Sequence, residues 1–261
     1  MTCDQFRIFS DFREDFRSYC SHLNQSFASL LSPLQKEAAK KDTPDYPIET
    51  PVVYNTALDE ITQDSEIRLI VIGDNPGKEE QRAFNQKYLV GQSGKIAAGF
   101  FARHPEFKTD FRKNAIILNK TPIHSAKTNH LKAIKKGGGE KIAKLLSDSQ
   151  LYMAQKTASL HSELCLAAGD NGIKPQIWLV GYAELKGRGL FLEYRDALKA
   201  KLTDNPDFQK EDSPWNRLFV FQHFSMNRFS IDLKNFMEKN PEMDILQACR
   251  ELGKLHRTEI F

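Results

Sequence analysis

The chain has 261 residues, 40% of them hydrophobic, and its 37 Lys and Arg against 34 Asp and Glu give a formal charge of +3. This is enough apolar sequence for one sizeable α/β core or at most two small ones. A charge so near neutral excludes a surface that is basic throughout, so any polyanion-binding footprint has to be local. The four cysteines, Cys3, Cys20, Cys165 and Cys249, are scattered. They lack CxxC or other metal-ligand spacing, which argues against a metal site or a disulfide scaffold and fits a reducing cytoplasm. The first residues carry charge throughout and no run reaches the length of a membrane span, so neither a signal peptide nor a membrane segment is expected.

In chain order, residues 4–40 space Phe6, Phe16, Leu23, Phe27, Leu30 and Leu34 as a helix does, with Ser32-Pro33 expected to break or restart it. The segment KKDTPDYPIETP, with three prolines, reads as an extended linker. Four short apolar runs follow: Ile67–Gly73, Asn114–Asn119, Gln176–Gly181 and Arg217–Gln222. Each is rich in Val, Ile, Leu and Phe with little alternation, as expected of strands buried on both faces. Between them lie predicted helices: one beginning near Gly94, a long amphipathic one over residues 143–168, and a mostly helical stretch from Ala183 to Leu198 broken at KGRG. Ser230 and Asn240-Pro241 carry the cap signatures of two closing helices. Strands alternating with helices predict a three-layer α/β/α sandwich around a four-stranded parallel sheet. One domain spanning residues 1–261 is expected, with residues 1–50 as a helical extension and linker.

In such a sheet the ligand crevice lies beyond the carboxyl ends of the strands. The turn GDNPG after the first strand, Asn119 after the second and His223-Phe224-Ser225 after the fourth would gather there. Each has an ordinary alternative. Asp74, Asn75, Pro76 and Gly77 are common turn residues, Asn119 can cap a strand, and a lone histidine is more often a satisfied buried group than a proton carrier. GQSGK (Gly91–Lys95) is not a phosphate-binding P-loop, because Leu89 stands where the upstream glycine belongs and Ile96 follows the lysine. Residues 127–144 are the most basic stretch, with Lys127, Lys132, Lys135, Lys136, Lys141 and Lys144 beside the single acid Glu140. They form either a phosphate-contacting segment or a solvated face.

Together, DNPG, the strand-end Asn119 and His-x-Ser resemble the motifs of the uracil-DNA glycosylase superfamily. GDNPGKEEQ…YLVGQSGK is most similar to the GEAPGxxE…PFVGxxG pattern of its thermostable iron–sulfur branch, and QIWLVGYAEL to that branch's third strand. The resemblance covers roughly residues 67–230. It implies that Asp74 orients or activates the attacking water and that Asn75 occupies the position of the main uracil enzymes' water-activating aspartate. Asn119 would bond the edge of a flipped base, His223 would stabilise negative charge on the departing base, and backbone amides near Pro76 and Gly77 would line the pocket. Three departures stand out. HFS replaces HPS, Leu89 replaces the stacking aromatic (with Tyr88 a possible substitute), and the cluster cysteines are missing, so no cofactor is expected. The implied partner is single- or double-stranded DNA containing uracil or another damaged base. Lys127, Lys132, Lys135, Lys136, Ser225 and Arg228 are its candidate contacts, and the protein is expected to be a cytoplasmic monomer. The alternative is a glycosylase-fold module that binds a base or nucleic acid without excision. A small-molecule nucleotide hydrolase is a third reading, because fold alone does not fix chemistry.

Overall fold

The computed structural model describes residues 1–43, 45–170, 172–204 and 206–261. Its centre is a sheet of four parallel strands, β1 (Leu69–Gly73), β2 (Ala115–Asn119), β3 (Gln176–Val180) and β4 (Leu218–Phe221), in the order β2-β1-β3-β4. All four predicted strands are present, each trimmed by one or more residues. Every strand residue except Gln176 is buried. This is why the runs are uniformly apolar, since a strand covered on both faces has no polar side to show.

Helices α1 (Cys3–Ala39), α2 (Gln92–Arg103), α3 (His130–Gly137), α4 (Gly139–Ala167), α5 (Leu192–Leu202), α6 (Arg228–Lys239) and α7 (Ile245–Ile260) flank the sheet. Trp178 and Phe221 pack against Phe229 of α6, and Trp178 also meets Phe101 of α2. Helices α1, α3, α4 and α5 pack on one another, completing a three-layer α/β/α sandwich.

The N-terminal helix corrects one expectation. It runs unbroken through Pro33 for 37 residues. A proline inside a helix costs roughly 3 kcal/mol, and tertiary anchoring on both sides offsets it here. Leu31, Gln35 and Ala39 are all buried, and Gln35 Nε2 donates to the carbonyls of Pro51 and His124, each at 2.9 Å. Phe9, Phe16 and Leu23 join the same hydrophobic core as the strands. The proline-rich segment after α1 forms no helix or strand among its described residues; Pro44 lies outside them.

Both closing-helix caps also differ from expectation. Helix α6 starts at Arg228, directly after Met226 and Asn227 in the left-handed region (φ 54° and 57°), so Ser230 lies inside it and caps nothing. Asn240 ends α6 instead of starting α7, its Nδ2 donating back to the Phe236 carbonyl at 2.8 Å. The cap of α7 is Asp244, which accepts from the Gln247 amide at 2.8 Å while the Gln247 side chain accepts from the Asp244 amide. This reciprocal box outcompetes the Asn-Pro signal.

Helix α7 approaches β4 closely because Gly253 has no side chain. A Cβ there would lie 2.7 Å from both Phe219 Cβ and Phe221 Cζ. Gly253→Ala is therefore expected to destabilise the protein by about 1–3 kcal/mol, as overpacking does, read as a lower urea midpoint with an unchanged m-value.

Candidate functional site

Strand β1 pairs with β2 on one side and β3 on the other, so the direction of the chain crossovers diverges beside β1. A crevice opens beyond the strand ends at such a switch point. Here it is a cleft of about 650 Å³ lined by residues that include Asp74, Asn75, Asn119, Gly181 and His223. The strand ends therefore bring together side chains from positions 74, 119 and 223, as the motifs predicted.

Two glycines make room for them. A Cβ on Gly73 would stand 2.5 Å from Asn119 Oδ1, and one on Gly181 would stand 2.3 Å from Asp74 Oδ1. Gly181 also has φ +96°, a conformation that side chains other than glycine rarely adopt.

The strongest interaction in the site involves a residue that the sequence reading passed over. Lys120, directly after Asn119, is fully buried. Its ammonium contacts Asp74 Oδ1 at 2.5 Å and the Val180 carbonyl at 2.6 Å, with the Gly73 carbonyl at 3.3 Å and the Phe191 ring centroid at 5.0 Å. It thus crosses the ends of β1 and β3 from the end of β2. Burial pulls the Lys120 pKa down, and the neighbouring Asp74 charge opposes that pull. Among the described residues, the other carboxylate oxygen of Asp74 receives only a long contact from Thr128 Oγ1, at 3.4 Å.

Asn119 is buried, and its amide Nδ2 has no hydrogen-bond partner among the described residues. An unpaired buried donor costs roughly 1–3 kcal/mol, and the residue that carries this one lines the cleft. His223 Nδ1 accepts from the Ser225 backbone amide at 3.0 Å and lies 2.8 Å from Ser225 Oγ. A ring nitrogen that accepts carries no proton, so the neutral imidazole holds its proton on Nε2. Burial lowers the His223 pKa, partly offset by Asp74, which keeps the ring a neutral donor near pH 7.

The remaining motif residues also make scaffold contacts. Asn75 lines the cleft, but its Nδ2 donates to Ser125 Oγ at 2.9 Å and to the Ser125 carbonyl at 3.2 Å. Pro76 has no amide hydrogen to offer, and its carbonyl accepts from His124 Nδ1 at 2.8 Å and from the Ser125 amide at 3.2 Å. The Gly77 amide donates to Glu80 Oε2 at 2.9 Å. The Pro76 carbonyl and the Gly77 amide therefore hold the turn together and are not available to a ligand. Glu80 is buried, which pushes its carboxyl up to about 7 against the pull of the Gly77 and Leu89 amides and of Arg112. It ties the DNPG turn to the Leu89 loop, whose carbonyl in turn accepts from Arg112.

Tyr88 is a further correction. Its ring is fully buried, its hydroxyl donates to the Val53 carbonyl at 2.5 Å, and it lies outside the cleft lining, so it cannot replace the stacking ring. The left-handed turn at Leu89 (φ 53°) sends Tyr88 into the core and leaves Leu89 at the cleft. Ser225, Arg228 and Lys127 line the cleft, and Lys127 pairs with Asp42 at 2.9 Å. Lys132, Lys135 and Lys136 do not line it; they stand exposed on α3. The lining is of mixed charge, with Glu79 and Glu184 beside Lys78 and Arg228.

The described residues contain no cluster of three or more His, Cys, Asp or Glu able to hold a metal ion, and no helix among them is long and apolar enough to cross a membrane. No family model, curated protein or solved structure matches the chain.

Removing one partner of a buried ion pair strands the other. Lys120→Met is expected to destabilise the fold by about 3 kcal/mol, and adding Asp74→Asn to recover part of that loss, both measured by urea unfolding. Equal losses in the single and double variants would show that the pair does not hold the strand ends.

Proposed function

We propose that the cleft belongs to a DNA glycosylase that hydrolyses the N-glycosidic bond of uracil or a related damaged base. One observation carries the reading: the buried, unpartnered Asn119 amide lines the same cleft as the neutral Nε2–H of His223 and the carboxylate of Asp74. Uracil offers a carbonyl oxygen and a ring N–H side by side, the complement of a carboxamide's donor and acceptor. The base would reach the cleft by leaving the duplex stack, at a cost of a few kcal/mol.

In the reaction, water adds across the bond between C1′ and the base nitrogen. Its hydroxyl goes to C1′ and its second proton ends on the base. Asp74, anchored through Oδ1 by Lys120, orients that water and accepts its hydrogen bond. His223 donates to the base oxygen on which negative charge grows as the bond breaks, a contribution worth roughly 3 kcal/mol by analogy with other oxyanion donors. The chemistry uses no cofactor. The protein is read as a monomer of the cytoplasm acting on single- or double-stranded DNA.

A second reading has its own support. With Leu89 at the cleft and Tyr88 in the core, the position that would stack on the base has no ring, which suits a module that binds a base or nucleic acid without excision. Uracil release from labelled single- and double-stranded oligonucleotides separates the two. The expected result is release by the wild type, a loss of about 10²–10³-fold in kcat for His223→Ala, and comparable losses for Asp74→Ala and Asn119→Ala. Binding to the uracil oligonucleotide without release would overturn uracil excision in favour of the binding module.

A further inference from the structure

Two stretches of chain, Gly77–Glu80 and the start of α2 with Leu89 before it, line the cleft together, and Glu80 joins them. Its carboxylate accepts from the Gly77 amide at 2.9 Å and takes a second backbone hydrogen bond from Leu89. Arg112 holds the other side of the same residue, donating to the Tyr88 carbonyl at 3.1 Å and to the Leu89 carbonyl. A carboxylate on its amide and a guanidinium on its carbonyl thus grip Leu89. The grip matters because the turn is one that leucine resists: φ is 53°, in the left-handed region. Helix α2 starts hard against this turn, since a Cβ on Gly94 would fall 1.3 Å from the Leu89 carbonyl oxygen.

Glu80 holds its end of the grip without a counterion. It is only 7% exposed, and Arg112, the cation that faces it, is committed to the two carbonyls and, among the described residues, makes no ion pair with it. Tyr88 faces it from the Leu89 loop, and Asp110 acts on Arg112 from behind. Lys78 and Glu79 flank it on the turn, while Gln92 and Ser93 of α2 bring no charge. A carboxyl so placed is easier to keep protonated than ionised, and burial pushes it up to about 7 against the two amides and Arg112. With the turn swung away, Glu80 would meet water and return towards the ordinary 4.5. The closed turn therefore holds a proton that the open turn releases. The stabilisation of the closed turn is complete below pH 4.5 and is lost as the pH rises through about 7.

We propose that Glu80 is the latch of the cleft: it positions Leu89 as one wall, and taking up a proton closes the Leu89 turn while losing it lets the turn open. The inference deepens the base-binding reading of the cleft and does not depend on excision. Leu89 stands where a stacking ring is missing, so the position of its side chain sets the width left for a flat ligand.

The test is amide hydrogen exchange of the ¹⁵N-labelled full chain, with rates corrected for the intrinsic pH dependence of exchange. The Leu89 amide is expected to be less protected than the amides of Val71 and Ile117 in the central strands, because the turn opens on its own. Its protection should fall by roughly 50-fold between pH 5 and pH 8. In Glu80→Gln, which is neutral at every pH and still offers an acceptor, the Leu89 protection should stay level over that range. A level Leu89 profile in the wild type, or the same fall in Glu80→Gln, would overturn the proposal. So would Leu89 protection equal to that of the strand amides at every pH, since the turn would then open only with the whole fold. A titrating Leu89 amide in a protein that binds no free uracil would remove the base-binding reading and leave the latch standing.

Discussion

The fold of the site depends on one buried ammonium ion. Lys120 ties the end of β2 to the carboxylate after β1 and to the last carbonyl of β3, and no water reaches it. A charge placed there is tolerable only when it is fully paired, so the positions of Asp74, Gly73 and Val180 are all specified by it. The same contact fixes which oxygen of Asp74 is spent on the scaffold and which has only the long Thr128 contact. The pair also explains Gly181. Asp74 can approach β3 this closely only where the chain has no Cβ.

The layout of the site then follows by neighbour relations. Asn119 precedes Lys120, so anchoring the lysine on the protein side of the sheet edge leaves the asparagine amide at the bottom of the cleft. Gly73 clears the space that its carboxamide fills. Glu80 performs a similar task one shell out, joining the DNPG turn to the Leu89 loop, while His124 locks the turn from behind through the Pro76 carbonyl and Tyr46. Most of the polar residues around the cleft are thus occupied in holding it. Among the described residues, the Asn119 amide is the buried side-chain donor of the cleft that has no protein partner, and His223 keeps its Nδ1 engaged with Ser225.

The sheet was legible in the sequence because strands buried on both faces have a local signature, and the crevice followed from parallel topology. Asp74, Asn119 and His223 were legible because each sits directly at a strand end. Lys120 was not, since its burial depends on partners 46 and 60 residues away that no local pattern announces. The one available signal was a lysine placed directly after an apolar strand. Glu80 had a signal in the GxxE spacing, yet its role depends on the Leu89 loop folding back upon it. Leu89 stands at the cleft as expected, but Tyr88 is no substitute for the missing ring, because the left-handed turn at Leu89 turns it into the core and nothing in YLVG marks leucine as the residue that adopts that turn. The cap at Asp244 and the unbroken α1 have the same lesson: tertiary anchoring and reciprocal capping outweigh a single Ser, Asn or Pro.

The central claim is that Asn119 presents its unpaired amide to a nucleobase edge. The most direct measurement is an NMR titration of the ¹⁵N-labelled protein with free uracil, following the Asn119 side-chain NH₂ resonances assigned by their loss in Asn119→Ala. The account predicts saturable shifts of those two protons as they gain an acceptor, together with a shift of the His223 ring signals. Saturable uracil binding that leaves the Asn119 amide unmoved, or no binding up to the solubility limit of uracil, would contradict it.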